Sequence, residues 1–357
     1  MKQDHYHVIG VMSGTSLDGV DLAHIYFTIE NKKWNFTILA SETVRYSNTW
    51  ITNLKRAVDF SKPELDNLNQ DYTKLLGQII TDFIQKNKIE TLDAVCSHGH
   101  TILHQPQNGF TLQIGNLPEI ATLTKQNIVC DFRVQDVKMG GQGAPLVPIG
   151  DQILFSEYDF CLNLGGFSNI SFDVKGKRIA FDISPVNTVL NTFANQLGFE
   201  YDDKGKMART GKINTALIAD LNALEYYKKP YPKSLGYEFV KTSILPILEK
   251  YDLSIEDKTA TFVEHIAQQT AFVIPNHKCK MLITGGGAYH DFLIERIQFY
   301  KPEIQITIPD TTLLEYKEAL IFGLLGVLKL RNEINVLSSV TGAKKDHSAG
   351  KIYSKSV

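Results

Sequence analysis

The feature that most restricts how this chain can fold is a pattern written twice. A short apolar strand runs into a glycine turn, returns as a second strand, turns again into a third, and leads on to an amphipathic helix. The first copy places strands at 7–12, 20–29 and 34–45, with the turn Ser13-Gly14-Thr15-Ser16-Leu17-Asp18-Gly19 between the first two. Leu65, Leu68, Tyr72, Leu75, Ile79 and Phe83 then recur at helical spacing behind Ser61 and Glu64, which form a capping box. The second copy has strands at 160–164, 169–174 and 178–183, the turn Gly165-Gly166, and a helix at 186–197. Two meanders, each backed by a helix, predict an α/β chain of two similar halves. A length of 357 residues, more than one core usually supports, agrees with this.

Between the copies lie a strand at 94–97, the segment 98–104, a strand at 111–114 and a helix led by Pro118. Near the end, a strand at 280–284 meets Gly285-Gly286-Gly287, which opens a helix over 289–299. The expected domains are 1–130 and 131–330, with 331–357 packing back on the first. Gly140-Gly141-Gln142-Gly143-Ala144-Pro145 is expected as a hinge or cleft wall, and the polar tail 344–357 as mobile.

A formal charge of -2 offers no long-range attraction for nucleic acid or an anionic membrane, so neither is an expected partner. Cys96, Cys130, Cys161 and Cys279 form no CxxC pair, which predicts reduced, buried thiols. The apolar run 8–12 is cut short by the first glycine turn, so no export signal is expected and the location expected is cytoplasmic. The apolar segment 319–330 is too short for a bilayer and is interrupted by Gly323 and Gly326, which predicts a buried helix.

Small residues in turns that follow strands let backbone N–H groups and hydroxyls surround phosphate oxygens. Any one of the three glycine turns alone reads sooner as an ordinary tight turn than as a phosphate site; their recurrence at equivalent places favours nucleotide binding. There is no GxxxxGK[ST] and no GxGxxG, so a different nucleotide fold is required. His98, His100 and His104 have no carboxylate or cysteine at metal-site spacing and read as hydrogen-bonding residues at a strand end.

Two meander-plus-helix halves with hairpin turns and a late glycine-rich helix start resemble the actin, Hsp70 and sugar-kinase superfamily. That resemblance implies two RNase H-like domains with an ATP cleft between them. More narrowly, Met12-Ser13-Gly14-Thr15-Ser16-Leu17-Asp18-Gly19-Val20-Asp21 resembles the signature of the anhydro-N-acetylmuramic acid kinase family. Further matches are Ser97-His98-Gly99-His100-Thr101, Gln113-Ile114-Gly115, Asp131-Phe132-Arg133-Val134-Gln135-Asp136, the segment 140–146, Asn163-Leu164-Gly165-Gly166, Lys233-Ser234 and Val340-Thr341-Gly342-Ala343.

The resemblance implies ATP contacts from Gly14, Thr15, Ser16, Leu17, Asp18, Gly19, Val20, Asp21, Asn163, Gly165, Gly166, Gly285, Gly286 and Gly287. It implies sugar contacts from His98, His100, Asp131, Arg133, Asp136 and Glu318, and Asp182 as catalytic residue. Arg133 is the best anion fork among these, although Asp131, Arg133 and Asp136 also read as a salt-bridge cluster in a wall. A homodimer is implied too. Where the family has Asp-Thr-Gly-Pro-Gly-Asn, this chain has Asp182-Ile183-Ser184-Pro185-Val186-Asn187, without either glycine. Met12 stands where the superfamily has a metal-linked aspartate, which leaves Asp18 or Asp182 to hold Mg2+ through water.

The implied substrate is a 1,6-anhydro amino sugar, whose O6 is bonded to C1 and carries no proton. A base therefore acts on water, which opens the bridge as O6 takes the γ-phosphoryl group of ATP. Two alternatives stand beside this reading: another anhydro sugar such as levoglucosan as substrate, and an actin- or Hsp70-like nucleotide-driven binding module.

Overall fold

The computed structural model describes residues 3–14 and 16–355, which form two compact units, Met1–Leu154 with Tyr316–Val357, and Phe155–Glu315. In the first unit β1 (His5–Ser13), β2 (Gly19–Glu30) and β3 (Lys33–Arg45) make an antiparallel meander. The helix Lys62–Lys86 then leads to β4 (Ala94–Gln105), which lies parallel to β1. Its capping box is present, with the Ser61 N–H donating to Glu64 Oε2 at 2.7 Å. Its apolar stripe buries Leu65, Leu68, Tyr72, Leu76, Ile79, Ile80 and Phe83 in the core.

Segment 98–104, separate from the expected strand 94–97, continues it as part of β4. β5 (Phe110–Ile114) pairs with β4 antiparallel, and β6 (Ile128–Cys130) pairs with it parallel. The last strand, Lys351–Tyr353, closes that edge antiparallel to β6.

The expected mobile tail is therefore packed over its described part. His347 bridges Val336, Asn335 donates to the carbonyls of Leu325 and Ala349, and Ala349 is fully buried. Polarity misled here because the buried polar groups of the tail are satisfied within the fold.

The helix Thr311–Leu330 explains its own glycines. A Cβ at Gly10 of β1 would lie 1.8 Å from the Ala319 carbonyl oxygen, and one at Gly326 2.1 Å from Cys96 Sγ. The helix lies on β1 and β4 at a spacing that only hydrogen side chains permit. Among the described residues no helix is long and apolar enough to cross a membrane. All four cysteines are free and buried.

The second unit repeats the order. β7 (Phe160–Leu164), β8 (Phe167–Val174) and β9 (Lys177–Pro185) form the meander, and β10 (Cys279–Thr284) lies parallel to β7 with β11 (Ile304–Thr307) parallel beyond it. The sheet order β11-β10-β7-β8-β9 repeats β6-β4-β1-β2-β3 of the first unit, so each unit is RNase H-like. Helices 187–196 and 255–273 pack on this sheet around Leu162, Leu164, Phe181, Phe262 and Met281.

The units divide at 154/155 and 315/316, whereas the sequence suggested 130/131 and 330/331. Residues 131–154 stay with the first sheet because the Thr341 hydroxyl donates to Asp136 at 2.8 Å and Gly150 lies under Ile321, where a Cβ would approach to 2.6 Å.

Candidate active site

In the second unit the ends of two parallel strands bring the late glycines to the hairpin. Thr284 of β10 pairs with Asn163 of β7. Gly285 then takes φ 84°, ψ 162°, a conformation open essentially to glycine, and a Cβ there would lie 2.7 Å from Asn163 Oδ1 and 2.8 Å from the Leu164 carbonyl oxygen. Gly287 is held as closely, with a Cβ reaching 2.8 Å from Leu164 Cβ. Asn163, Gly165, Gly285, Gly286 and Gly287 are thus gathered at one edge. The carbonyl of Gly166 accepts from Val186 N at 2.8 Å and from the Thr188 hydroxyl at 2.8 Å, which clamps the hairpin to the start of helix 187–196. The helix expected over 289–299 is preceded by a 3₁₀ turn, Gly286–Tyr289, and runs from Asp291 to Tyr300 with His290 as its cap.

Asp182 lies on β9 where the register with β8 shifts: Asn169 pairs with Asp182 and Ser168 with Ser184, leaving Ile183 as an extra residue. Such a bulge re-aims the neighbouring side chain. Segment 226–235 holds Asp182 in place. Leu235 N donates to Asp182 Oδ2 at 2.8 Å, Asp182 N donates to the Lys233 carbonyl at 3.2 Å, and the Tyr226 hydroxyl donates to the Asp182 carbonyl at 2.6 Å. Lys233 lies over the Tyr226 ring at 4.7 Å. Burial raises the Asp182 carboxyl above the usual aspartate range, with the Leu235 N–H opposing. That combination suits a proton acceptor.

The departures beside Asp182 face inward. Ser184 and Val186 are fully buried and Ile183 nearly so, and Ser184 N donates to Ser168 Oγ at 3.1 Å. The missing glycines therefore change packing beneath the site.

In the first unit the β1–β2 turn carries the other phosphate candidates. Thr15 lies outside the described residues. Leu17 adopts φ 63°, the Ser16 hydroxyl donates to the exposed Asp18 carboxylate, and a Cβ at Gly19 would lie 2.4 Å from the Val44 carbonyl oxygen. Gly14 opens the turn without a tight neighbour. The Val20 side chain is fully buried in the core, so only its backbone can face a ligand. Asp21 accepts from the Thr43 hydroxyl at 2.6 Å.

The sugar candidates divide by depth. Arg133 Nε donates to His98 Nε2 at 2.8 Å, and its Nη1 donates to the Gly143 carbonyl at 2.6 Å. An arginine can only donate, so His98 is bare at Nε2, carries its proton on Nδ1 and gives it to the Gly99 carbonyl at 2.9 Å. Burial, with the Arg133 charge, holds His98 neutral. Burial also lowers Arg133 to about 10, with Glu318 and Asp136 opposing. Glu318 keeps an open surface yet is closely surrounded, and loss of water raises its carboxyl against the pull of Arg133, while Asp21 adds to the rise. Arg133, Glu318 and Asp21 thus make one charge cluster.

Asp136 is placed differently. It is fully buried, and its carboxylate accepts from Gly143 N at 2.7 Å and the Thr341 hydroxyl at 2.8 Å, with His347 Nε2 at 3.6 Å. It supports the 140–143 loop. Asp131, at φ 61°, pairs with Lys351 at 2.6 Å rather than with Arg133. His100 is buried, with Nδ1 2.7 Å from Ser13 Oγ, and His104 faces Thr111. The three histidines do not converge, and among the described residues no group of three or more His, Cys, Asp or Glu could hold a metal ion. One exposed carboxylate beside phosphate oxygens is nevertheless the usual donor set for Mg2+, and Asp18, which is exposed, fits it better than the half-buried Asp182.

The sequence did not single out Ser13, Tyr46 or Tyr72 as partners of His100. Nor did it identify the anchors of Asp182 at Tyr226 and Leu235; Lys233 beside them was visible within the Lys233-Ser234 match.

The family model for anhydro-N-acetylmuramic acid kinase matches residues 6–355. An anhydro-N-acetylmuramic acid kinase of Mannheimia succiniciproducens is 36% identical over 385 residues, covering 99% of this chain and 100% of that one. One of Coxiella burnetii is 33% identical over 375 residues, covering 99% and 98%. Among solved structures, a ROK family glucokinase from Streptomyces griseus in complex with glucose and AMPPNP is 12% identical at a TM-score of 0.41, covering 90% of this chain and 99% of that one.

Proposed function

The chain belongs to the anhydro-N-acetylmuramic acid kinase family, and we propose from this that it converts 1,6-anhydro-N-acetylmuramic acid, water and ATP to N-acetylmuramic acid 6-phosphate and ADP. The observation that carries the chemistry is Asp182, a carboxylate made more basic by burial and fixed by Leu235 N and the 226–235 segment. Asp182 takes a proton from water as the water oxygen bonds to C1. The C1–O6 bond breaks, and O6 bonds to the γ-phosphorus as the bond to the ADP oxygen breaks. No acid is needed at O6, because phosphorus captures it. The N–H groups of the two hairpin turns, with Ser16, balance charge on the triphosphate. Arg133, oriented by neutral His98, binds the lactyl carboxylate, and Glu318 accepts from a sugar hydroxyl. Asp18 would hold Mg2+ through water, and the ion would neutralise phosphate charge. The enzyme acts in the cytoplasm as a homodimer in peptidoglycan recycling.

The rival substrate levoglucosan lacks the lactyl group, and its motivation was the changed segment at Asp182. The side chains of Ser184 and Val186 point into the core, which removes that motivation.

In heavy-oxygen water, the product quenched before anomeric exchange is expected to carry label at C1 and none in the phosphate. Label in the phosphate, or faster phosphorylation of free N-acetylmuramic acid than of the anhydro sugar, overturns the coupled reaction.

The pH profile offers a second check. Asp182 works ionised, and burial raises its pKa, so kcat/KM should fall with acid through a pKa above the ordinary aspartate range. An acid limb at or below that range would assign the base to a solvated carboxylate.

A further inference from the structure

We infer that two neighbouring tyrosines, Tyr226 and Tyr227, clamp β9 on either side of its bulge, with the buried His265 as their anchor, and so aim the Asp182 carboxylate at the reacting water. All three are then positioning residues that act through Asp182. Tyr226 and Tyr227 stand on the single helical turn Glu225–Lys228, and His265 stands on the helix 255–273. The side chains that meet there are buried: Tyr226 is 8% exposed, Tyr227 6%, and Ser184 and His265 0%.

The bulge creates the need for a clamp. Where two residues of one strand face one residue of its partner, the extra residue disrupts the ladder and the strand bends. Ile183 is that residue, between Asp182 and Ser184. On one side of it, both backbone groups of Asp182 have partners in segment 226–235: its N–H donates to the Lys233 carbonyl, and its carbonyl accepts from the Tyr226 hydroxyl at 2.6 Å. Lys233 fixes Tyr226 in turn, with Nζ over the ring at 4.7 Å and donating to the Tyr226 carbonyl at 3.3 Å. On the other side, the Tyr227 hydroxyl stands 3.5 Å from Ser184 Oγ, an atom that the glycine of the family pattern would lack.

His265 ties the turn to the core. Its Nε2 lies 2.9 Å from the Tyr227 hydroxyl and its Nδ1 2.7 Å from Asn222 Oδ1, and its ring meets that of Tyr227 edge to face at 4.9 Å. Burial lowers His265 to about 3, so the ring is neutral and has one donor and one acceptor, which these two partners use. Burial also raises both tyrosines, with the Asp182 charge adding at Tyr226, so both hydroxyls keep their protons. Breaking any of these bonds strands a polar group away from water, so the turn holds one place and Asp182 is held with it. The use of this aim in turnover rests on the proposed kinase reaction; the clamp itself does not.

Amide hydrogen exchange of the full chain tests the clamp without any turnover. The Asp182 N–H donates to the Lys233 carbonyl and the Leu235 N–H to Asp182 Oδ2, so these two amides report how firmly the carboxylate is held. In Tyr226→Phe and in His265→Leu both should lose protection by ~10-fold or more, while the amides of β10 in the same sheet keep theirs. No loss at those two amides, or an even loss throughout the unit, overturns the inference. In turnover, kcat should fall by ~10-fold or more with both KM values within about twofold of wild type. His265→Gln, which restores a donor and an acceptor, should recover much of the protection and of kcat. Loosened amides with unchanged kcat, or a change in KM alone, overturn the positioning role. A wild-type chain that leaves the anhydro sugar untouched sinks the kinase reaction, and the exchange measurement still decides the clamp. Should His265→Leu fail to fold, Tyr226→Phe and Tyr227→Phe, each one hydroxyl smaller, carry both measurements.

Discussion

Asp182→Asn is expected to reduce kcat by at least ~10²-fold while leaving KM for ATP and for the anhydro sugar nearly unchanged. The amide keeps the shape of the side chain and can still accept from Leu235 N through its oxygen, now at 2.8 Å from Asp182 Oδ2. It cannot take the water proton. The loss should come without a stability penalty. The folded-state pKa of Asp182 is raised, so its cost to stability builds as pH rises above the unfolded pKa and is complete above the folded one. A neutral amide relieves this cost, and Tm should hold or rise. A variant with intact Tm and intact KM but collapsed kcat would locate the base. Near-normal turnover in Asp182→Asn, together with loss of turnover at intact affinity in Asp131→Asn, would move the role to the other carboxylate.

Asp136→Asn should do the opposite. It is expected to destabilise the first unit by about 1–3 kcal/mol, read as a fall in Tm and denaturation midpoint, with the surviving folded enzyme keeping most of its kcat. Gly143 N donates to Oδ2 of the Asp136 carboxylate and the Thr341 hydroxyl to Oδ1, with His347 Nε2 3.6 Å from that same Oδ1. An amide has one acceptor oxygen, so an orientation that keeps the Gly143 N–H bond deprives the Thr341 hydroxyl of its charged acceptor in a fully buried site. The 140–143 loop would loosen, and because Arg133 Nη1 donates to the Gly143 carbonyl, sugar KM should rise modestly in parallel. A large kcat loss with unchanged Tm would instead place Asp136 in the chemistry.

These two aspartates show how far a linear reading reaches. Both stand in motifs of the family, and both carry the same chemistry on paper. Asp182 was identified by the family resemblance, on a strand that turn residues and alternation predict, whereas the bulge that places it inside β9 was not legible. Asp136 was assigned to the sugar because nothing local distinguishes a supporting carboxylate from a contacting one. Its partners Thr341 and His347 are about two hundred residues away in sequence, and only the docking of the tail buries it. Val20 shows a related limit. A signature marks a stretch of chain, but on a strand alternate residues face opposite sides, so the residue between Gly19 and Asp21 enters the core.

What the sequence determined by itself is the local grammar: the two meanders, the capped helix behind Ser61, the glycines that must lie where backbones approach, and the family. These follow from periodicity, turn chemistry and ordered motifs, which act over a few residues. The tertiary structure alone decided which polar groups lose their water. That loss makes Asp182 basic, holds His98 and His100 neutral, and turns Asp136 into a support, because desolvation and hydrogen-bond saturation depend on neighbours that the chain brings together only when folded.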